Sequence, residues 1–190
     1  LFVNSILNNY SLKQDYDYFL NSKNRLKFGG ISTWYNVVPG DISSSDTLIA
    51  QRGLTRSNGW ENAAYIQNEQ TISPKLKLNY GLRFSLFTVA GPSNQYRFDA
   101  NGTVLDTTIL KARQLDRSYF NPEPRFSLNY SIDDSRSIKF AYSRNAQYIH
   151  QLSNTTSGSP TDRWVLTSRN IRPGISDQVS AGYFFNFGGD

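Results

Sequence analysis

The sequence predicts an all-β protein made of about seven long antiparallel strands. Three observations predict it. Apolar and polar residues alternate with a period of two along most of the chain, short polar turns alternate with long loops, and no apolar run reaches the roughly 18 residues of a membrane-spanning helix. The 190 residues carry 20 basic and 15 acidic side chains, and 38% hydrophobic with 14% aromatic residues is too apolar for a disordered segment.

The first three strands are predicted at 2–20, 24–38 and 59–72. The first places its apolar residues, among them Tyr10 and Leu12, at even positions, and the second follows a polar turn. The third alternates weakly, because Asn62 shares a face with Ile66. We assign it mainly from its position between two turns.

The remaining strands are predicted at 75–90, 117–132, 136–152 and 174–187. The first of these alternates most strictly, with Leu82 and Phe84 on one face and Lys77 and Arg83 on the other. The next two repeat the pattern, and the last is interrupted only by Phe184.

The connections alternate between short turns, such as Ser73-Pro74, and loops of roughly 19 to 27 residues. The long loops are predicted at 39–58, 91–117 and 153–173. Within the second, Asn101-Gly102 predicts a tight hairpin, which we favour over a calcium loop opening at Asp99 because the other ligand positions are absent.

Strand length distinguishes a globular β-protein from an outer-membrane barrel as the interpretation of this pattern. Strands of globular proteins average about 5–6 residues, whereas a tilted strand needs roughly 9–11 to cross a bilayer, and the predicted strands exceed both. Short turns at one end and long loops at the other are typical of outer-membrane barrels. Seven strands cannot close, so we predict that residues 1–190 are part of a larger transmembrane β-barrel, with short periplasmic turns and long extracellular loops.

Several local patterns resemble TonB-dependent outer-membrane receptors, particularly the carboxypeptidase-regulatory-like group related to SusC/RagA transporters. They occur in the family's usual order and cover about residues 60–187 well. The patterns are Ala64-Tyr65-Ile66-Gln67-Asn68-Glu69, Leu78-Asn79-Tyr80-Gly81-Leu82-Arg83, Pro122-Glu123-Pro124-Arg125-Phe126, Ser137-Ile138-Lys139-Phe140-Ala141-Tyr142, Pro160-Thr161-Asp162-Arg163-Trp164 and Asn170-Ile171-Arg172-Pro173.

The resemblance implies an activity and a set of partners. It implies import of a nutrient-class ligand across the outer membrane of a Gram-negative bacterium, through a barrel of about 22 strands filled by a plug domain that TonB pulls. The plug is not found in this chain. The implied partners are outer-membrane lipid and lipopolysaccharide, the protein's own plug and remaining strands, TonB, and in SusC-like pairs a surface lipoprotein lid.

Two groups of residues are predicted to carry the function. One group faces the barrel lumen and the plug: Lys75, Lys77, Asn79, Arg83, Arg125, Asn129 and Lys139. The other lies at the outer rim and is the best candidate for ligand contact, with girdle or loop packing as the alternative: Trp60, Tyr119, Trp164 and Arg163. Basic residues of the later loops are expected to pair with lipopolysaccharide phosphates or an anionic ligand, or to be ordinary solvated charges.

The residues exclude several other functions. The chain has no Cys and one His, so thiol catalysis and zinc clusters are excluded. His150 is expected at the surface or in the aromatic girdle, with ligand binding and catalysis as the lesser alternatives. We predict no enzyme, metal or cofactor, and no nucleic-acid partner because the basic residues form no stripe. Two alternatives stay open: a passive, secretion-type or adhesin barrel without a plug, and a soluble ligand-binding β-domain.

The assignment of Leu82 to the lipid side and Arg83 to the lumen side predicts how two substitutions affect the stability of the folded protein. Leu82→Arg, on the lipid side, is expected to cost roughly 2–4 kcal/mol, and Arg83→Ser much less.

Overall fold

The computed structural model describes residues 2–43, 56–152 and 163–187, and the regular structure within these ranges consists of strands. The described residues contain no helix that could serve as a membrane span. In chain order the strands are β1 (Phe2–Asn21), β2 (Asn24–Ser43), β3 (Ser57–Ser73), β4 (Leu76–Ala90), β5 (Ser93–Phe98), β6 (Val104–Leu110), β7 (Leu115–Ser131), β8 (Arg136–Gln147), β9 (Ile149–Leu152), β10 (Arg163–Leu166) and β11 (Gly174–Phe185).

Seven long strands form one antiparallel sheet in the order β1-β2-β3-β4-β7-β8-β11. Each pairs with the long strand before it in the chain, as expected for a meander joined by turns. The all-β prediction is confirmed, and all seven predicted strands are present within a few residues of their expected bounds. The sheet is open, because neither β1 nor β11 pairs with a second described strand.

The short turns are staggered along the sheet. A line of directly paired residues, perpendicular to the strands, runs from Asn24 through Leu78 to Phe140. Asn24 is the first residue of β2, Leu78 the third of β4 and Phe140 the fifth of β8. With about 3.4 Å per residue and about 4.8 Å between strands, turns lying in one plane require a strand tilt of about 35°. Barrel strands have tilts of this size.

The second long connection contains a separate hairpin. Strands β5 and β6 pair from Ser93 with Leu110 to Phe98 with Val104, so the predicted hairpin is confirmed. Its loop spans 99–103 and is longer than the tight Asn-Gly turn that we expected. Asp99 Oδ1 closes it by accepting hydrogen bonds from the backbone N–H groups of Asn101 and Thr103, and Gly102 supplies a positive φ of 82°.

The strand predicted at 136–152 is divided in two. Strand β8 stays in the sheet and ends at Gln147, and Tyr148 interrupts the ladder. Strand β9 then pairs with β10 in a separate two-stranded element, from Ile149 with Leu166 to Leu152 with Arg163. We call β9 and β10 together the β9–β10 ribbon.

Two prolines mark the point where β7 separates from β8. Strand β7 pairs with β4 along nearly its whole length but with β8 only over 125–131. The Ser131 amide donates toward the turn before β4, and the Ile132 amide donates to the first residue of β8. Successive backbone amide groups point alternately toward the two neighbouring strands, so the backbone nitrogens of Pro122 and Pro124 both point toward β8. Proline has no N–H to donate, so the ladder to β8 ends there.

Candidate functional site on the polar face of the sheet

The register assigns each side chain of the sheet to one of two faces. Directly paired residues share a face, and Arg83 pairs with Glu123 whereas Leu82 pairs with Pro124. We call the face that carries Arg83 the polar face and the face that carries Leu82 the apolar face.

The apolar face is largely uncovered. Leu12 is 78% exposed and Val179 is 66% exposed. An apolar surface of this extent requires an apolar environment or a partner. Aromatic residues form a row near the long loops (Tyr10, Trp34, Trp60) and another near the short turns (Tyr80, Tyr130, Tyr183), as at the two interfaces of a membrane barrel.

A buried ionic cluster occupies the centre of the polar face. Arg83 Nη1 lies 3.0 Å from Glu123 Oε2, and its Nη2 lies 2.9 Å from Glu61 Oε1. Glu123 is 0% exposed and also accepts a hydrogen bond from Ser85 Oγ. The Tyr35 hydroxyl donates to Glu61 Oε2 at 2.7 Å. One guanidinium thus compensates two carboxylates that have left water, which makes each member costly to remove.

Tyr148 joins this cluster to the β9–β10 ribbon. Its hydroxyl lies 2.7 Å from Ser85 Oγ and accepts a hydrogen bond of 2.8 Å from Asn121 Nδ2. Its ring stacks on Phe87 with centroids 4.8 Å apart and planes inclined by 9°. Tyr148, which lies between β8 and β9 in the chain, is therefore held against the sheet through both its ring and its hydroxyl.

The β9–β10 ribbon covers the polar face near the long loops. Leu166 of β10 is 4% exposed and belongs to a buried cluster with Val37 of β2 and Phe87 of β4. Phe87 has the same strand parity as Arg83, so the cluster lies on the polar face. The other buried members are Val89, Leu110 and Tyr148, and Tyr35, Tyr119, Ala146, Ile149 and Trp164 pack around them.

The polar face is basic near the short turns. Lys77, Asn129 and Lys139 are directly paired in one row, and neither lysine forms a salt bridge within the described ranges. The Lys139 ammonium lies 4.4 Å from the ring centroid of Phe184. Asn129 Oδ1 is buried without a hydrogen-bond partner in the described part of the chain. This row lines a depression of about 740 Å³.

The residues predicted to face the lumen lie mostly on this face. By register it carries Lys77, Asn79, Arg83, Arg125, Asn129 and Lys139. Lys75 differs, because it belongs to the turn before β4 and its ammonium donates to the Ile132 carbonyl at 2.9 Å. Contact of these residues with a plug stays a prediction.

The predicted rim residues are divided between the two faces. Trp60 lies in the aromatic row of the apolar face, and its Nε1 donates to Ser32 Oγ at 2.8 Å. Tyr119 and Trp164 both pack against the buried cluster on the polar face, and the Tyr119 hydroxyl donates to the Ser168 carbonyl at 2.6 Å. Arg163 begins β10, and its side chain lies outside the described residues. Ligand contact by these residues stays a prediction.

An ion pair connects two of the long connections. Arg169 donates to both carboxylate oxygens of Asp116, at 2.6 and 2.7 Å, and Asn170 Nδ2 donates to the Tyr96 carbonyl at 2.7 Å. The hydrogen bonds from Arg169 hold the pKa of the Asp116 carboxyl below its ordinary value of 3.8, against the opposing effect of partial burial. The turn after β10 is thereby tied to the outer end of β7.

Asp99 and His150, the residues that the sequence offered for calcium binding and for catalysis, both contact other groups of the protein. Asp99 closes the β5–β6 loop, and His150 Nε2 lies 3.3 Å from Thr167 Oγ1. No group of three or more His, Asp or Glu residues in the described ranges is arranged to hold a metal ion.

Sequence reasoning missed Glu61, Glu123, Ser85 and Tyr148. The two glutamates occupy polar-face positions on their strands, but only the register brings both beside Arg83. For Tyr148, the available signal was a break in alternation, since two large apolar residues, Tyr148 and Ile149, follow each other.

The chain resembles a known protein family. The model of a family described as outer membrane beta barrel domain matches residues 7–180, from β1 into β11. A search of the curated proteins finds no match.

Proposed function

Because the chain belongs to the outer membrane β-barrel domain family, we propose that its sheet forms part of the wall of a TonB-dependent transporter or receptor. The intact protein imports a nutrient-class ligand with TonB-coupled energy, across the outer membrane in which barrels of this family reside. The resemblance of residues 60–187 to SusC-related receptors supports the TonB-dependent class.

The observation that carries the proposal is the difference between the two faces. The apolar face suits lipid, whereas the polar face holds Arg125, Lys77 and Lys139 and a depression of about 740 Å³ near the short turns. A polar interior filled with water or protein is characteristic of wide barrels, including the plugged ones. The outer edges of β1 and β11 pair with no second strand in the described residues, and they require further strands because open sheet edges are not stable in lipid.

The proposal assigns a partner to each of these surfaces. Membrane lipid and lipopolysaccharide contact the apolar face and the basic loops, and the remaining strands close the barrel. A plug domain contacts the polar face, TonB acts through that plug, and a surface lipoprotein covers the long loops. Lys77 and Lys139, which have no acidic partner in the described ranges, and Asn129 Oδ1, which has no hydrogen-bond partner there, support an occupant on the polar face, because such groups are stabilised by polar contacts.

A passive barrel is the second candidate, and one observation favours it. The β9–β10 ribbon lies over the polar face, so part of the interior is occupied without a plug. We do not retain the soluble β-domain, because the family is an outer-membrane one and the apolar face is exposed.

The test uses the full-length protein reconstituted in planar bilayers with potassium chloride as the permeating probe, together with direct binding of the purified periplasmic part of TonB. A TonB-dependent transporter is expected to conduct little steady current, because the plug closes it, and to bind TonB. Removal of the segment upstream of this sheet should open the channel.

Two results together would contradict the proposal: a steady open channel in the unaltered protein and no binding of TonB. They would support the passive barrel instead. An outer-membrane barrel with an open channel, reconstituted in the same way, serves as the control for successful reconstitution.

A further inference from the structure

We propose that the β9–β10 ribbon is a fixed strap across the mouth of the barrel interior, and that Tyr148 is the positioning residue that holds it there. The inference rests on the barrel-wall part of the proposed function and not on coupling to TonB.

The ribbon crosses the sheet instead of extending it. It continues from β8, and its strand β10 contacts β2 and β3. In the sheet, β3, β4 and β7 lie between β2 and β8. With a strand spacing of about 4.8 Å, β8 and β2 are roughly 19 Å apart along the sheet. A segment that leaves β8 and reaches β2 on the polar face therefore spans the concave side.

Both strands of the ribbon are tied to the wall. On the β9 side, Tyr148 stacks on Phe87 and hydrogen-bonds to Ser85 and Asn121. On the β10 side, Leu166 is buried in the same cluster.

The residues directly after β10 are also held by hydrogen bonds. The Thr167 backbone N–H donates to the Tyr148 carbonyl at 2.8 Å, and Ser168 accepts from Tyr119. Apolar burial and satisfied hydrogen bonds thus act together, which is the condition for a rigid polar network.

The neighbouring strands allow this course. Pro122 and Pro124 offer no N–H to β8, so the upper end of β8 is not held in a ladder with β7. The chain is free at this point to turn toward the interior at Tyr148.

The strap fixes which side chains a solute meets. Leu166 pairs with Ile149, and both pack toward the wall, whereas Val165 pairs with His150 on the opposite face of the ribbon. Leu152 has the parity of His150 and is 52% exposed. We therefore assign Leu152 and Val165 to the solute-facing surface of the mouth, whereas the His150 ring lies near Thr167 and Gly174.

The test measures thiol labelling of single-cysteine variants of the full-length protein in outer membranes. The 190 residues contain no native cysteine, so Leu166→Cys reports the wall side and Leu152→Cys the solute side of the same ribbon. A membrane-impermeant maleimide is expected to label Cys at 152 at least about tenfold faster than Cys at 166, which corresponds to an opening free energy of about 1.4 kcal/mol or more.

Substitution of Tyr148 then tests the positioning role. Tyr148→Ala is expected to raise the labelling rate at 166 at least about tenfold, toward the rate at 152, since ring and hydroxyl contacts are both lost. Tyr148→Phe keeps the ring stack on Phe87, so it should raise the labelling rate at 166 less than Tyr148→Ala does. Tyr142→Phe is the matched control. It removes the hydroxyl of a tyrosine in β8, which donates to Asp177 at 2.8 Å, and should leave the labelling rate at 166 unchanged.

Equal labelling rates at 152 and 166 in the protein with native Tyr148 overturn the strap. Protection at 166 that survives Tyr148→Ala overturns the role of Tyr148. If Tyr148→Ala does not assemble, an unchanged rate at 166 in Tyr148→Phe overturns that role instead. Labelling needs no transport, so failure of TonB coupling and failure of the strap are distinguished.

Discussion

The guanidinium of Arg83 lies 3.0 Å from the fully buried carboxylate of Glu123 and 2.9 Å from that of Glu61, so one side chain bridges β3, β4 and β7. Sequence alone placed Arg83 on the polar face as a replaceable residue. The contacts make it the only cation that compensates the buried Glu123 within the described residues.

Arg83→Ser is therefore expected to destabilise the folded protein by about 3–5 kcal/mol, because it leaves a buried carboxylate without its partner. This replaces the mild effect expected from facing alone. Lys77→Ser is the matched control on the same strand and face. Lys77 is exposed and has no acidic partner in the described ranges, so its loss should cost within about 0.5 kcal/mol. Denaturant titration of the full-length protein in lipid vesicles compares the two, and equal costs would contradict the buried cluster.

Leu82→Arg, on the apolar face, is expected to cost roughly 2–4 kcal/mol because the charge enters hydrocarbon. Ser127→Arg places the same side chain on the polar face of neighbouring β7 and should cost much less. The measurement is again the free energy of unfolding in vesicles. A larger cost for Ser127→Arg than for Leu82→Arg would reverse the assignment of the two faces.

Gly29 and Gly30 are neighbours with opposite tolerance for a side chain. A Cβ at Gly29 would clash with the Gln14 backbone oxygen, whereas the nearest atom to a Cβ at Gly30 is 3.4 Å away. Gly29→Ala is expected to destabilise by about 1–3 kcal/mol through overpacking. Gly30→Ala should change stability within about 0.5 kcal/mol. If both variants unfold at the same denaturant concentration, the close packing of β1 against β2 at Gly29 is not present.

The tie between Asp116 and Arg169 has a defined pH dependence. The hydrogen bonds from Arg169 lower the pKa of Asp116, so its stabilising contribution is present above the unfolded pKa and is lost as pH falls through the lower folded pKa. Hydrogen exchange of residues 168–171, corrected for intrinsic rates, should therefore show equal protection at pH 7 and pH 5. Protection should fall only below about pH 4. Asp116→Asn should lack this part of the protection at every pH, and loss of protection already at pH 5 in the native sequence would contradict the tie.

Much of the sheet could be predicted from the sequence because each long strand has its own period of two. The alternation of Leu82 and Arg83 gives the two faces of β4 without knowledge of its neighbours. The weakly patterned strand 59–72 was also recovered, since turns on both sides restrict where it begins and ends. Local signals of this kind do not depend on which strands become partners.

The site could be predicted only in part, because its contacts join residues distant in sequence. Ser85 and Tyr148 meet across 63 positions, and no local pattern encodes that pairing. The ribbon was missed for a related reason. The break in alternation at Tyr148 and Ile149 is a weak local signal, and the departure of residues 149–152 from the sheet depends on what β7 offers opposite them.

Pro122 and Pro124 have a mechanical consequence for the whole wall. Strands β1 to β4 and β7 make one panel, and β8 with β11 makes another. Within the described residues the backbone ladder between the panels is the paired stretch 125–131, and above it they are joined by side chains such as Tyr148 and Asn121. Above that stretch the panels share a seam without a backbone ladder. A load applied at the outer end, by a docked protein or a passing molecule, will open this seam before it shears either panel.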